Sequence, residues 1–113
     1  MNYWISYLYF YRMLIYNETF IIDDAIVGDW LAWIKNNHIP SILGTGSFDS
    51  YKLYTILDSP NEGITYCLQF HTTSVERYSD FYYKHMEGIH ATHNKQFEER
   101  FALFHTLMET VDL

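Results

Sequence analysis

Over residues 63–72 apolar and polar side chains alternate without a break. Ile64, Tyr66, Leu68 and Phe70 fall on one side, and Thr65, Cys67, Gln69 and His71 on the other. Successive side chains of a strand point to opposite faces, so this segment reads as a strand with one apolar face to bury. A chain of 113 residues has room for one hydrophobic core and for helices on one face of a sheet only. The other face must then be solvated, line a cavity or be covered by another subunit. Everything else in the sequence is read against that constraint.

A first strand is expected over 13–21, where Leu14, Ile15 and Tyr16 precede a polar Asn17-Glu18-Thr19 and a second apolar group from Phe20. Asp23 and Asp24 stop it and offer an N-cap for a helix over 25–37. Val27, Trp30, Leu31 and Ile34 share one helical face, Trp33 widens it, and His38 continues it seven residues beyond Leu31. Pro40 suits the first turn of a restarted helix, and Gly44 and Gly46 an exit turn. A second strand over 47–57 pairs with the 63–72 strand through the turn chemistry of Asp58-Ser59-Pro60-Asn61-Glu62-Gly63. Thr73 with Glu76 makes a capping box for a second helix carrying Tyr78, Phe81, Tyr82, His85 and Ile89 on one face. Gly88 is expected to bend it, with further helix over 92–100. A last strand, 101–111, places Phe101, Leu103, His105 and Leu107 on one side.

The order β-α-β-β-α-β predicts an α+β protein. Two β-α-β halves of this kind make the ferredoxin-like sandwich, a four-stranded antiparallel sheet with helices on one face. That domain is expected over 13–113. Residues 1–12 are half aromatic and uncharged before Arg12. They lack the basic start and small-residue cleavage site of a signal peptide and are too short to span a bilayer. They read as an extension upstream of a natural start at Met13, or as an added edge strand or arm packed on a partner subunit.

Several segments then carry a resemblance. They are Met13-Leu14-Ile15-Tyr16-Asn17, Trp30-x-x-Trp33, His38-Ile39-Pro40, Leu43-Gly44-Thr45-Gly46 with Phe48, and Gly63-Ile64-Thr65-Tyr66 ahead of Gln69-Phe70. From Met13 to about Val111 the chain resembles an uncharacterised domain-of-unknown-function family of short bacterial proteins in the dimeric α/β-barrel superfamily. The resemblance implies a homodimer whose two sheets face one another. It names no reaction. Relatives in that superfamily include cofactor-free monooxygenases, lactone isomerases, polyketide cyclases, haem-degrading enzymes and noncatalytic stress proteins, so the fold by itself selects none of them. Their clefts commonly lie between sheet and helices, often with a histidine at the end of the first helix, the place His38 takes here.

Composition excludes some classes. A net charge of −7 argues against a nucleic-acid backbone and against an anionic membrane surface as partner. The lone Cys67 excludes an internal disulfide or a multi-cysteine metal site, and points to a reducing cytoplasm. The two glycines of Leu43-Gly44-Thr45-Gly46-Ser47 lack the lysine and following helix of a phosphate loop, and no Gly-x-Ser-x-Gly elbow is present.

What remains is a cleft. His38 near an aromatic cavity has the chemistry of a general base or of a group that polarises a carbonyl, with Trp30 and Trp33 as walls and Tyr54 and Tyr66 lining the ligand. The plainer role for His38 is capping the last carbonyls of its helix. Asn17, Gln69, His71 and His105 are expected on the face away from the helices, as a polar seam across a dimer interface. Glu87, His90 and His93 recur at three-residue steps, but Gly88 interrupts them and no His-Glu-x-x-His spacing exists, so neither a metal nor any other cofactor is expected. With no complete catalytic constellation, the first reading is a noncatalytic, homodimeric module binding a small ligand or a partner. The alternative is a cofactor-independent enzyme, monooxygenase- or isomerase-like, acting on a small aromatic or carbonyl compound with His38 as base.

Overall fold

A computed structural model describes residues 12–113. The expectations for the N-terminal extension rest on residues 1–11, which lie outside the described residues; the guanidinium of Arg12 pairs with Glu109.

The four strands are β1 (Leu14–Ile22), β2 (Ser50–Ile56), β3 (Ile64–Thr72) and β4 (Phe101–Glu109), in the spatial order β2-β3-β1-β4 with every neighbour antiparallel. This is the ferredoxin-like topology, and β1 takes the most sheltered place, between β3 and β4. Its register sets both faces. Tyr16 opposes Phe70, Glu18 opposes Leu68 and Phe20 opposes Tyr66, all pointing to the helices, while Asn17 opposes Gln69 and Thr19 opposes Cys67 on the other side. The loop between β2 and β3 closes at Gly63. Its φ of +85° and the approach of the Ile22 carbonyl oxygen, 2.5 Å from where a Cβ would stand, leave room for glycine alone.

The first helical segment corrects the expectation of a break before Pro40. After a short 3-10 turn at Asp24–Ile26, capped by the Asp23 carboxylate, α1 (Val27–Trp33) leads into a wide π turn over Ile34–His38 and then straight into α2 (Ile39–Leu43). The cause is local. In a regular helix the ring of Pro40 would strike the carbonyl four residues back and leave it without a donor. Instead, the Ile39 N–H reaches the Ile34 carbonyl five residues back, and the Ser41 hydroxyl donates to the Asn37 carbonyl at 2.7 Å.

The second segment also differs in detail. Ser74, not Thr73, caps α3 (Val75–Lys84), accepting from the Arg77 N–H. Thr72 has already taken the Ser74 N–H, which moves the cap one residue on. The bend falls at His85 rather than Gly88, and α4 (Met86–Gln96) begins directly after it. Trp30, Ile34, Ile39 and Ile42 from the first segment and Phe81, Met86 and Phe97 from the second bury the helix-facing side of the sheet in one cluster with Tyr16, Phe20, Leu68 and Phe70.

Candidate functional site

Among the apolar side chains that β1 turns inward stands one carboxylate. Glu18 is fully buried, and both of its oxygens are occupied. Oε1 accepts from His38 Nε2 at 2.7 Å; Oε2 accepts from His90 Nε2 at 2.7 Å and from the Tyr16 hydroxyl at 2.8 Å. The hydroxyl of Tyr16 is itself 2.8 Å from His90 Nε2. Burial pushes the Glu18 carboxyl up, but the charges and hydrogen bonds of His38 and His90 more than reverse this and hold it down to about 2. The tyrosine moves the other way: burial first, then the adjacent Glu18 charge and hydrogen bond, raise its phenol far above the ordinary value.

A second histidine pair lies alongside. The Trp30 indole N–H donates to His93 Nε2 at 3.0 Å, which leaves the proton on Nδ1, facing the Asn94 side-chain oxygen at 3.0 Å. Burial, followed by the positive neighbours His38 and His90, outweighs the help of Asn94 and Glu18 and lowers His93 to about 4. Its ring stands edge-on to His38, with centroids 5.6 Å apart.

The wide turn brings His38 to the wall of a cavity of about 520 Å³ between the two helical segments, shared with Trp33, Asn37, His85, Gly88 and Thr92. Of the two nitrogens of His38, Nε2 belongs to Glu18. Nδ1 is buried and has no partner among the described residues. With Nε2 turned to the carboxylate, Nδ1 is the remaining polar atom of the ring. Like the rest of the side chain, it is sealed from solvent. A second cavity, of about 470 Å³, is also lined by Trp33, with Asp29, Lys95 and Arg100.

The structure brings some of the anticipated residues together and separates others. His38 does not cap the helix end, since its ring turns to Glu18. Trp33 lines the cavity, whereas Trp30 is fully buried between Phe20, Tyr66 and His93. Tyr66 is likewise core, stacked on Trp30 at 5.0 Å. Tyr54 opposes Cys67 and so lies on the face away from the helices, not beside His38 as expected. Asn17, Gln69 and His71 do share that outer face, with the Asn17 amide on Thr19 and Thr106 and His71 on Ser50. His105 does not. It opposes Glu18 on the helix side and packs against Tyr16 and His90, because it shares the parity of Phe101, Leu103 and Leu107. Of the three-residue series, Glu87 is exposed while His90 and His93 turn to Glu18 and Trp30, so the three do not converge.

Glu18 is the residue that sequence reading missed. Its signal was present: it shares parity with Tyr16, Phe20 and Ile22, the apolar face of β1, where an isolated carboxylate must be paired. Tyr16 and His90 join the site through it.

Residues 13–111 match the model of a family described as a domain of unknown function, DUF4286. A search of curated proteins returns no match. Solved structures with the same fold include a dimeric ferredoxin-like protein from an uncultured marine organism, at 8% identity and TM-score 0.65 over 90% of this chain and 97% of that one. SnoaB, a cofactor-independent oxygenase from Streptomyces nogalater, aligns at 10% identity and TM-score 0.63 over 89% and 95%. A putative antibiotic biosynthesis monooxygenase from Bacillus cereus aligns at 10% identity and TM-score 0.61 over 89% and 95%. At these identities the likeness is one of fold.

Proposed function

The chain belongs to the DUF4286 family, a domain of unknown function, and on that premise we propose that it is a homodimer that binds a small organic molecule in the cavity beside His38. The observation that carries this reading is the unpartnered Nδ1 of a buried histidine on a cavity wall. Buried polar atoms are almost always hydrogen-bonded, and a bound molecule that reached this one would supply the partner. The volume suits one, since ligand pockets span roughly 300–1,000 Å³.

The dimer rests on the outer face of the sheet. Tyr54, Ile56, Phe104 and Met108 lie exposed there, and the buried Asn17 Oδ1 on the same face has no partner among the described residues. A second copy would cover the apolar groups and supply the donor, completing the seam with Gln69 and His71; the marine neighbour is described as dimeric. The acidic charge and the free thiol of Cys67 support a cytoplasmic location with no nucleic-acid or membrane partner. Among the described residues no helix is long and apolar enough to cross a membrane.

One observation favours a second reading, removal of a proton from the bound molecule. Glu18 fixes the orientation of His38 and faces the charge the ring would acquire, the arrangement of a carboxylate–histidine base. The fold is shared with a cofactor-independent oxygenase.

The test is a fragment screen read on the ring nitrogens of His38 by 15N NMR, on protein whose mass and oligomer are first fixed by native mass spectrometry. Fragments that move the Nδ1 resonance, without effect on His71 on the far face, support the site. A screen at millimolar concentration that leaves Nδ1 unmoved sinks it.

A further inference from the structure

We infer that α4 is a lid over the site at His38. It swings on His85, breaks its polar ties to β1 and α1, and carries His93 off the His38 ring, so that a molecule in the cavity reaches Nδ1. This rests on the reading that the cavity beside His38 binds a small molecule, and it adds how that site opens.

The step is required by the geometry. The side chain of His38 is 0% exposed and its Nδ1 has no partner among the described residues, yet the residue borders a cavity of about 520 Å³. Rings close on His38 from three elements: Phe20 of β1 at 5.8 Å, Trp33 of α1 at 6.1 Å and His93 of α4 at 5.6 Å. Phe20 belongs to the most sheltered strand, and Trp33 to the helical path that carries His38 itself. Of the three, His93 alone comes from an element that can leave while His38 stays. Gly88, Ile89 and Thr92 of the same helix line the cavity, so its movement widens the space.

The sequence of α4 favours that movement. Met86, Ile89, His90, His93 and Phe97 recur at helical spacing and form the inward stripe. Two of these five positions hold histidines where apolar side chains would ordinarily sit. Their bonds run to other elements. His90 Nε2 meets Glu18 Oε2 at 2.7 Å and the Tyr16 hydroxyl at 2.8 Å, and the Trp30 indole N–H donates to His93 at 3.0 Å. Water replaces such bonds when a helix lifts, whereas it offers nothing to bare apolar surface, so a layer held this way opens before the rest of a fold. Water also has an entry, since the His90 side chain is 15% exposed while Glu18 is 0%. The helix ends on two single-residue joints outside helical geometry, His85 at φ −128° and Glu99 at φ +64°.

The full chain is followed by native-state hydrogen exchange with NMR detection, and by brief labelling with diethyl pyrocarbonate read at each histidine by mass spectrometry. A lid predicts that the amides of residues 89–96 and the Trp30 indole N–H share one opening, about ten-fold or more populated than that of the Phe20 and Leu68 amides. His38 is then labelled at the rate this opening sets. His90→Phe keeps a ring against His105 and deletes the bond to Glu18. It should raise both the opening and the His38 label about ten-fold, the scale of one hydrogen bond to a charged group, and leave the label on His71 of the far face unchanged. Should that variant fail to fold, the native chain decides alone. Amides of α4 that open only together with Phe20 and Leu68 overturn the lid, and so does a His38 that stays unlabelled while α4 opens. Fragments that move Nδ1 in a chain whose α4 opens only with the whole protein leave the binding site standing and remove the lid. An α4 that opens and exposes His38 to the reagent, while no fragment moves Nδ1, supports the lid and removes the ligand.

Discussion

Nε2 of His38 lies 2.7 Å from Oε1 of Glu18, and neither side chain reaches solvent. Removing one partner of a buried pair strands the other charge, at a cost of about 3–5 kcal/mol. Glu18→Ala should lose stability on that scale in urea denaturation. Glu18→Leu combined with His38→Phe should cost clearly less than the sum of its two single substitutions. Simple additivity of the two would show that the residues are not coupled.

His93 sets a pH dependence of stability. Its folded value of about 4 lies below the ordinary 6.5, so the unfolded chain binds the proton first. Its contribution is complete above pH 6.5 and is lost as the pH falls toward 4. Glu18, held to about 2 against an ordinary 4.5, adds a further loss below pH 4.5. The melting temperature should be level from pH 8 to 7 and fall between 6.5 and 4. His93→Gln should flatten that interval; an unchanged slope in the variant would place the titration elsewhere.

Trp30→Phe keeps an aromatic ring against Tyr66 and deletes the indole donor to His93. The unpaired buried nitrogen should cost about 1–3 kcal/mol, in addition to the lost volume. In the native protein the indole N–H of Trp30 should be among the slowest tryptophan protons to exchange with deuterium. Rapid exchange would contradict the bond to His93.

At Gly63 an alanine must accept φ +85° and a Cβ 2.5 Å from the Ile22 carbonyl oxygen. Gly63→Ala should destabilise by about 1–3 kcal/mol, whereas Gly28→Ala, in the open on α1, should be neutral or stabilising. Paired thermal melts decide; equal effects at the two sites would deny the close approach.

Phe104 is 58% exposed on the outer face of the sheet. If that face is the dimer interface, Phe104→Asp should yield monomers in sedimentation velocity with the helical layer intact by circular dichroism. A variant that remains dimeric would move the interface to another surface.

The sheet was legible because alternation is a local property. Ile64 to His71 declare their faces in sequence, and the turn residues after Asp58 join two strands whatever else surrounds them. The register of β2 was not legible, since every one of its residues is exposed and no apolar parity marks a face, which is why Tyr54 was assigned to the wrong side. His105 was legible by parity, and its polarity misled. The site was half legible. The helix period carried His38 inward, but its partner Glu18 lies twenty residues away in sequence, and the pairing exists only once β1 and the first helical segment pack.

The wide turn at Ile34–His38 spends one residue more on a circuit than an ordinary helix does. The helices on either side therefore keep the azimuth they would have if that residue were absent. Removing it would restore ordinary winding and bring the ring of Pro40 against the carbonyl four residues back. The surplus residue is what lets one unbroken helical path carry a proline while His38 stays over the carboxylate beneath it.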